Sequence, residues 1–416
     1  MRVVVAGGGV AGLEGLLALR ALAGDQIDLA LVAPDPDFTY RPLAVAEPFA
    51  LGHAHRVPLS QFALDAGAEL VLDATLAVDD KAGELRLRDA GARSFDALLV
   101  APGAHAVVGV EGATTWWPGG DPDIYGGLLS DIDEGYSKRI AIVVPPGAVW
   151  PLPAYELALM TAGQAKEMGH DDVTVTVITP ERRALSLFGD EASEAVSEEL
   201  RNAGVELKTG AVARRDEGGL VLEPNGERLD AQRVFAVPRL LGPALEGLPS
   251  DEEGFIVAGD DARVKGCERT WAAGDAVVSP LKFGGLATHQ ARRAAAGIAR
   301  AAGVTDCPDP GEPVVHGRLL VGRGTRRLRG RGDGEGAPLW WPQGKIAGEY
   351  LPRWLTEHGA TPPAAEEPDE GITVHRPLSD MRGPELEYLH GLAREFRSAD
   401  PAIASLGRHM REARER

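Results

Sequence analysis

The chain has 416 residues, 43 Lys+Arg against 62 Asp+Glu for a net charge of −19, and two cysteines, Cys267 and Cys307. That length suits two or three domains, and charged residues at 25% with apolar ones at 44% exclude wholesale disorder. The acidic balance argues against a nucleic-acid partner, and two cysteines exclude a disulfide-stapled domain, an iron–sulfur cluster and a Cys-rich zinc site, so no metal is expected.

Val3-Val4-Val5-Ala6 is a short β-branched run ending in glycines. Residues 10–22 read as a helix with Leu13, Leu16, Leu17, Leu19 and Leu22 on an apolar face, and Ile27 to Val32 reads as a second strand. Strand, Gly-rich turn, helix and strand form a βαβ unit, which implies a parallel sheet. The pattern restarts at Lys138: strand Arg139–Val144, helix Ala154–Met168, strand Val173–Thr179. A helix over Glu191–Ala203, a strand over Gln232–Val237, a strand over Thr270–Ala273 and a helix from Gly285 follow. The spacing of the two units, about 135 residues, is too long for a solenoid repeat and points to a duplicated nucleotide-binding domain. Residues 314–331, with six arginines, suit an exposed hairpin, and residues 360–371 suit a linker. The last 33 residues suit amphipathic helices, with Leu386, Leu389, Ala393 and Phe396 on one face.

Gly7-Gly8-Gly9-Val10-Ala11-Gly12 fits G-x-G-x-x-G directly after a strand and at the opening of a helix, the context that the dinucleotide fingerprint needs. Gly7 permits the tight turn, Gly9 lets the backbone approach a pyrophosphate, and Gly12 lets helix and strand pack closely. The amides of Val10, Ala11 and Gly12 then face the phosphates. The ribose acid of the motif is assigned to Asp35, 23 residues beyond Gly12, because Ala33 ends the second strand; otherwise Asp35 only opens a Pro-Asp-Pro-Asp turn.

Two further segments act with the fingerprint. One is Phe95–Gly103, a strand ending in Ala101-Pro102-Gly103; the other is Trp271-Ala272-Ala273-Gly274-Asp275, followed by Lys282 and the helix start Gly284-Gly285-Leu286. In this order they resemble the two-dinucleotide-domain flavoproteins: disulfide reductases, type II NADH dehydrogenases, and especially the sulfide:quinone oxidoreductase and flavocytochrome c sulfide dehydrogenase branch. The resemblance spans residues 1–302 and implies FAD. It makes Asp275 the acceptor for the ribityl hydroxyls and aims the helix at Gly285 toward the flavin N1–O2 edge. Lys282 then either adds positive charge beside the flavin or is a solvated loop lysine. Phe38-Thr39-Tyr40-Arg41-Pro42-Leu43 resembles the segment beside the isoalloxazine, where Arg41 is a phosphate or flavin contact or else a surface cation.

What is missing narrows the reaction. With no cysteine before residue 267, a redox disulfide beside the flavin is excluded, and neither Cys267 nor Cys307 matches the persulfide-carrying positions of the sulfide branch. The second βαβ turn, Pro145-Pro146-Gly147-Ala148-Val149-Trp150-Pro151-Leu152-Pro153, has four prolines where NADH users need glycines, so NAD(P)H is admitted but not favoured. Glu181, near the end of the next strand, is a ribose ligand or a turn acid. Glu156 matches the glutamate of the NADH dehydrogenase helix motif; it is a first-turn acid or a proton relay at the flavin. The segment 339–355 holds three of the seven tryptophans and either meets a membrane or packs on the flavin domain or a second subunit.

The expectation is therefore an α/β protein with two Rossmann-like domains and a small C-terminal α+β domain. The FAD-binding domain takes residues 1–115 and 250–305, a degenerate NAD-type domain 116–249, and an interface domain 306–416. The expected activity is FAD-dependent electron transfer to a small-molecule or quinone acceptor, sulfide:quinone-oxidoreductase-like without catalytic cysteines. The alternatives are an NAD(P)H:quinone or NAD(P)H:acceptor dehydrogenase and a non-catalytic flavin-bearing subunit. Without a long apolar run or leader, a cytoplasmic protein with at most peripheral membrane contact, and room for a homodimer, is expected.

Overall fold

A run of three valines has no polar face, so it belongs inside a sheet covered on both sides. In the computed structural model, which describes residues 1–315, 317–321, 324–328, 345–358 and 376–377, the strand Arg2–Ala6 is the middle one of five. The parallel order is Thr270–Ala272, Ala97–Val100, Arg2–Ala6, Asp28–Ala33, Ala68–Leu72. Val3 and Val5 point into a core shared with helices Val10–Ala23 and Gly284–Ala301. Val4 and Ala6 point to the opposite face, where Val78, Leu85 and Leu87 of an antiparallel meander cover them. The two helices approach closely because small residues line their contact: a Cβ on Gly15 would lie 2.3 Å from Leu99 and 3.8 Å from Ala291.

The second sheet repeats the plan. Its parallel order is Thr114–Thr115, Arg233–Ala236, Arg139–Val143, Thr174–Ile178, Val205–Lys208. Ile140 and Ile142 face helices Asp123–Asp133, Leu152–Glu167 and Asp190–Ala203, while Ala141 and Val143 face a second meander over residues 212–229. The chain crosses between the sheets twice, and the two crossings pair antiparallel, His105–Val107 with Arg239–Leu241. Both meanders escape sequence reading, because strands of three to five residues leave too short a period-2 pattern. The helix expected from Ala154 begins at Leu152, since Pro153 in a first turn loses no intrahelical bond.

One expectation about exposure is corrected, and one open alternative is decided. The 314–331 hairpin exists, with Gly317–Val321 antiparallel to Gly324–Leu328, but its first strand is buried against helix Leu152–Glu167, Arg318 included. Lys282 is buried as well, not a solvated loop lysine.

From Ile346 to Leu355 the described part of the Trp-rich segment packs on the first domain. The Glu14 carboxylate, fully buried in helix Val10–Ala23, accepts the amides of Glu349 (2.9 Å), Tyr350 (3.2 Å) and Leu351 (2.6 Å). Burial pushes that carboxyl up, against the pull of those amides and Arg292. Trp354, on the short helix Leu351–Glu357, stacks on Phe62 at 3.8 Å and on His358 at 3.9 Å, and its indole N–H donates to Asp65 at 2.7 Å. Trp340, Trp341, the 360–371 linker and the apolar face of the last 33 residues lie outside the described residues. Among the described residues no helix is long and apolar enough to cross a membrane.

Replacing this buried indole removes two stacks and one hydrogen bond. Trp354→Ala should cost ~3–5 kcal/mol by thermal unfolding, whereas Trp354→Phe should cost clearly less. An unchanged midpoint for Trp354→Ala would show that the docked segment adds nothing to the fold.

Candidate functional site

Three segments far apart in sequence meet at the carboxyl edge of the first sheet. Gly7 (φ +134°) lies so close to the end of the strand Ala97–Val100 that a Cβ would sit 2.0 Å from the carbonyl oxygen of the next residue, Ala101. A Cβ on Gly12 would sit 1.8 Å from the Gly7 carbonyl, and one on Gly274 (φ +79°) 2.9 Å from the Ala11 Cβ. The fingerprint, the Ala101-Pro102-Gly103 turn and the Gly274-Asp275 turn are thus in contact. Gly274 is further fixed by its amide donating to Gln290 Oε1 at 2.9 Å, and Ala273 by its amide on the Val100 carbonyl at 3.1 Å.

Gly9 differs from its neighbours. It is exposed, and a Cβ there would meet nothing within 4 Å. No side chain caps the helix that opens at Val10, so its first amides, those of Val10, Ala11 and Gly12, have neither a side-chain cap nor an intrahelical partner at the positive helix end. Gly103 (φ +80°) is equally open. The half-buried Asp275 carboxylate accepts no hydrogen bond among the described residues; burial raises it, and the charges of Lys282 and Arg41 oppose that rise. A cradle of uncapped amides, an open glycine and a carboxylate without a partner is what a dinucleotide with a polyol chain requires, so the residues fit FAD.

Around Asp275 the structure gathers cations. Lys282 Nζ donates to the Val277 carbonyl at 2.6 Å and lies 3.9 Å over the Phe255 ring, and burial pulls its ammonium down to about 8. Arg41 is exposed beside half-buried Pro42, at the start of the 3₁₀ segment Arg41–Phe49. The flavin-domain helix begins at Gly284, with Gly285 half-buried and Leu286 buried. Asp35 stands exposed two residues past the strand Asp28–Ala33.

Glu156 is not at the phosphate end. It is fully buried, and Lys345 Nζ donates to both its oxygens at 2.6 and 2.7 Å, with the Leu320 amide at 3.0 Å. Burial raises the Glu156 carboxyl and lowers the Lys345 ammonium, each opposed by the other partner. The same Lys345 gives its amide to the Tyr40 hydroxyl at 2.6 Å, and Ile346 does so at 3.1 Å. Ile346 also packs on Gly284, where a Cβ would lie 2.8 Å away, and Ala347 on Gly285. One C-terminal strap therefore joins Glu156, the Tyr40-Arg41 segment and the start of the flavin-domain helix. Sequence reading missed Lys345, Tyr40 and Glu14; the one available signal was a lysine set in the glycine-flanked Gln343-Gly344-Lys345-Ile346-Ala347-Gly348.

The glycines separate fold from binding. Gly9→Ala should leave thermal stability unchanged and weaken FAD retention, because the new methyl enters the space where a pyrophosphate approaches. Gly12→Ala should fail to give folded protein. Equal loss of stability in both variants, by circular dichroism melting, would refute that division.

Residues 1–296 match the pyridine nucleotide-disulphide oxidoreductase family. No curated protein matches the chain. Among solved structures, the sulfide:quinone oxidoreductase of the hyperthermophilic bacterium Aquifex aeolicus is similar at TM-score 0.69 and 19% identity, covering 79% of this chain and 83% of that one. An NAD-dependent persulfide reductase from A. fulgidus is similar at TM-score 0.57 and 21% identity, over 80% of this chain and 64% of that one. A ferredoxin reductase from Rhodopseudomonas palustris is similar at TM-score 0.56 and 21% identity, over 76% and 79%. At such identities the likeness carries the fold, and the family match carries the class. The chain belongs to the pyridine nucleotide-disulphide oxidoreductase family and is a flavin-dependent oxidoreductase that takes FAD as its cofactor.

Proposed function

We propose that the protein passes electrons through FAD to a small-molecule or quinone acceptor, and that it does so without a thiol. The observation that carries this reading is the placement of the two cysteines. Cys267 lies on the loop behind the first meander, where burial and Asp80 push its thiol up to about 11, far from a thiolate at neutral pH. Cys307 is half-buried against the first-domain core, its Sγ 3.7 Å from the Val304 carbonyl. Neither touches the glycine cradle, Asp275 or Glu156.

FAD, when bound, supplies two-electron chemistry at its isoalloxazine ring. The chain's part is to hold and to charge that ring. Gly7, Gly9 and Gly12 with the amides of Val10 to Gly12 would take the pyrophosphate, and Asp275 a ribityl hydroxyl. Lys282, Arg41 and the N-terminal end of the Gly284 helix would set positive potential nearby. Glu156 and Lys345 would act as a proton-holding pair: the Lys345 ammonium donates to the Glu156 carboxylate at 2.6 Å, and burial raises the carboxyl while it lowers the ammonium. With no spanning helix among the described residues, a quinone would be met at most by peripheral contact with a membrane.

The purified protein should be yellow, with one FAD per chain released on denaturation; colourless protein that takes up no added FAD would overturn the reading. Asp275→Ala should weaken FAD retention by ~1.5–3 kcal/mol in equilibrium dialysis. The double variant Cys267→Ser, Cys307→Ser should keep its FAD and whatever turnover the wild type shows with a quinone acceptor. Turnover lost with FAD still bound would restore a thiol mechanism.

A further inference from the structure

We propose that Trp150 is the specificity-determining residue of the second domain: a wedge that keeps its dinucleotide crevice shut to NADH and NADPH. In an open parallel sheet the ligand crevice lies past the carboxyl end of the strand where the order reverses. Here that strand is Arg139–Val143, with Thr174–Ile178 on one side and the later Arg233–Ala236 on the other. The residues that would receive a pyrophosphate are those of the following turn, 144–151.

The chain's own groups fill this place at three points. Trp150, half-buried, stacks on Phe283 at 4.8 Å with the rings 15° apart, and meets Phe188 edge-on at 5.7 Å. Phe283 is the residue before the flavin-domain helix, and Phe188 follows the strand Thr174–Ile178, so one indole spans from the cofactor helix to the ribose side of the crevice. Beside it the Lys282 amide donates to the Val149 carbonyl at 3.3 Å. At the near end Pro145 is pressed on the crossing chain: a Cβ on Gly109 would lie 3.1 Å from Pro145 Cγ and 2.2 Å from the Val237 carbonyl oxygen. At the far end Glu181, the residue placed for a ribose, turns inward. It is buried, accepts Tyr155 Oη–H at 2.6 Å and Thr179 Oγ1–H at 3.0 Å, and presents no oxygen to the crevice mouth.

Of these, the indole is the element that bridges the two domains and can be removed without cutting backbone. The inference rests on the FAD reading only for its optical readout, so binding is measured separately. Full-length wild type and Trp150→Ala are titrated with ADP-ribose by calorimetry and mixed anaerobically with NADH and NADPH while flavin absorbance is followed. Wild type should bind ADP-ribose no tighter than millimolar and bleach slowly or not at all. Trp150→Ala should bind at least ~10-fold tighter, about 1.4 kcal/mol, with saturable bleaching. Micromolar binding by wild type overturns the wedge, and so does a folded Trp150→Ala with unchanged affinity. Should Trp150→Ala not fold, Trp150→Leu, which keeps an apolar plug but not the span to both phenyl rings, decides by the same criteria. Colourless protein whose ADP-ribose affinity still rises on substitution would sink the FAD reading and leave the wedge standing.

Discussion

The flavin end of the molecule depends on backbone approaching its neighbours at places where no side chain fits. Gly7 against Ala101, Gly12 against Gly7, and Gly274 against Ala11 leave less than 3 Å for a Cβ in every case. These contacts pull the ends of three neighbouring parallel strands and two helix starts into one point. Only then do uncapped amides, an open glycine and the Asp275 carboxylate share a surface. Interiors at crystal-like density do not yield by the amount a methyl group needs, so this part of the sequence has little latitude.

Buried charge fastens what the glycines do not reach. Glu14 and Glu156 sit in opposite domains, each fully buried on a helix, and each is answered by the same C-terminal strap. Glu14 takes three amides at the start of the short helix Leu351–Glu357, doing for it what a capping side chain does, from another element. Glu156 takes the Lys345 ammonium. Two buried carboxylates left unanswered would cost far more than the pairs contribute, so the strap's position is specified more strongly than its stability is raised. The strap also brings Ile346 and Ala347 onto the glycines at the head of the flavin-domain helix, so its anchoring and the shape of the site are one matter.

Much of this was legible beforehand. Strand–turn–helix order, the glycine fingerprint and Gly274-Asp275 are local patterns, each fixed by a backbone requirement that names its residue. The burial of Lys282 and Arg318 was not legible, because a lysine or arginine between glycines and prolines reads the same in solvent as against a phenyl ring or a carboxylate. Lys345, Tyr40 and Glu14 escaped for a second reason: their partners lie 189 to 337 residues away, and no periodicity carries such pairings. The meanders escaped because their strands are short. Glu156 was picked out for its place on the helix, and its partner came only with the fold.

The two βαβ turns make the final contrast. They have the same topology and opposite composition. At the first, Gly7 and Gly12 are held by contacts that exclude any side chain, while Gly9 stays open for a ligand. At the second, Gly147 (φ +80°) follows Pro145 and Pro146, and Trp150 stacks on Phe283. A proline in the first turn would remove an amide that phosphate needs; in the second, four prolines have removed theirs and stiffen the loop. The sheet beneath is equally well formed in both domains. A parallel sheet and its helices therefore form under either kind of turn, whereas glycine is required only where something must come within contact distance of the backbone. By that criterion the first turn is shaped by backbone contacts around one open glycine, and the second by prolines and an indole packed on its neighbour.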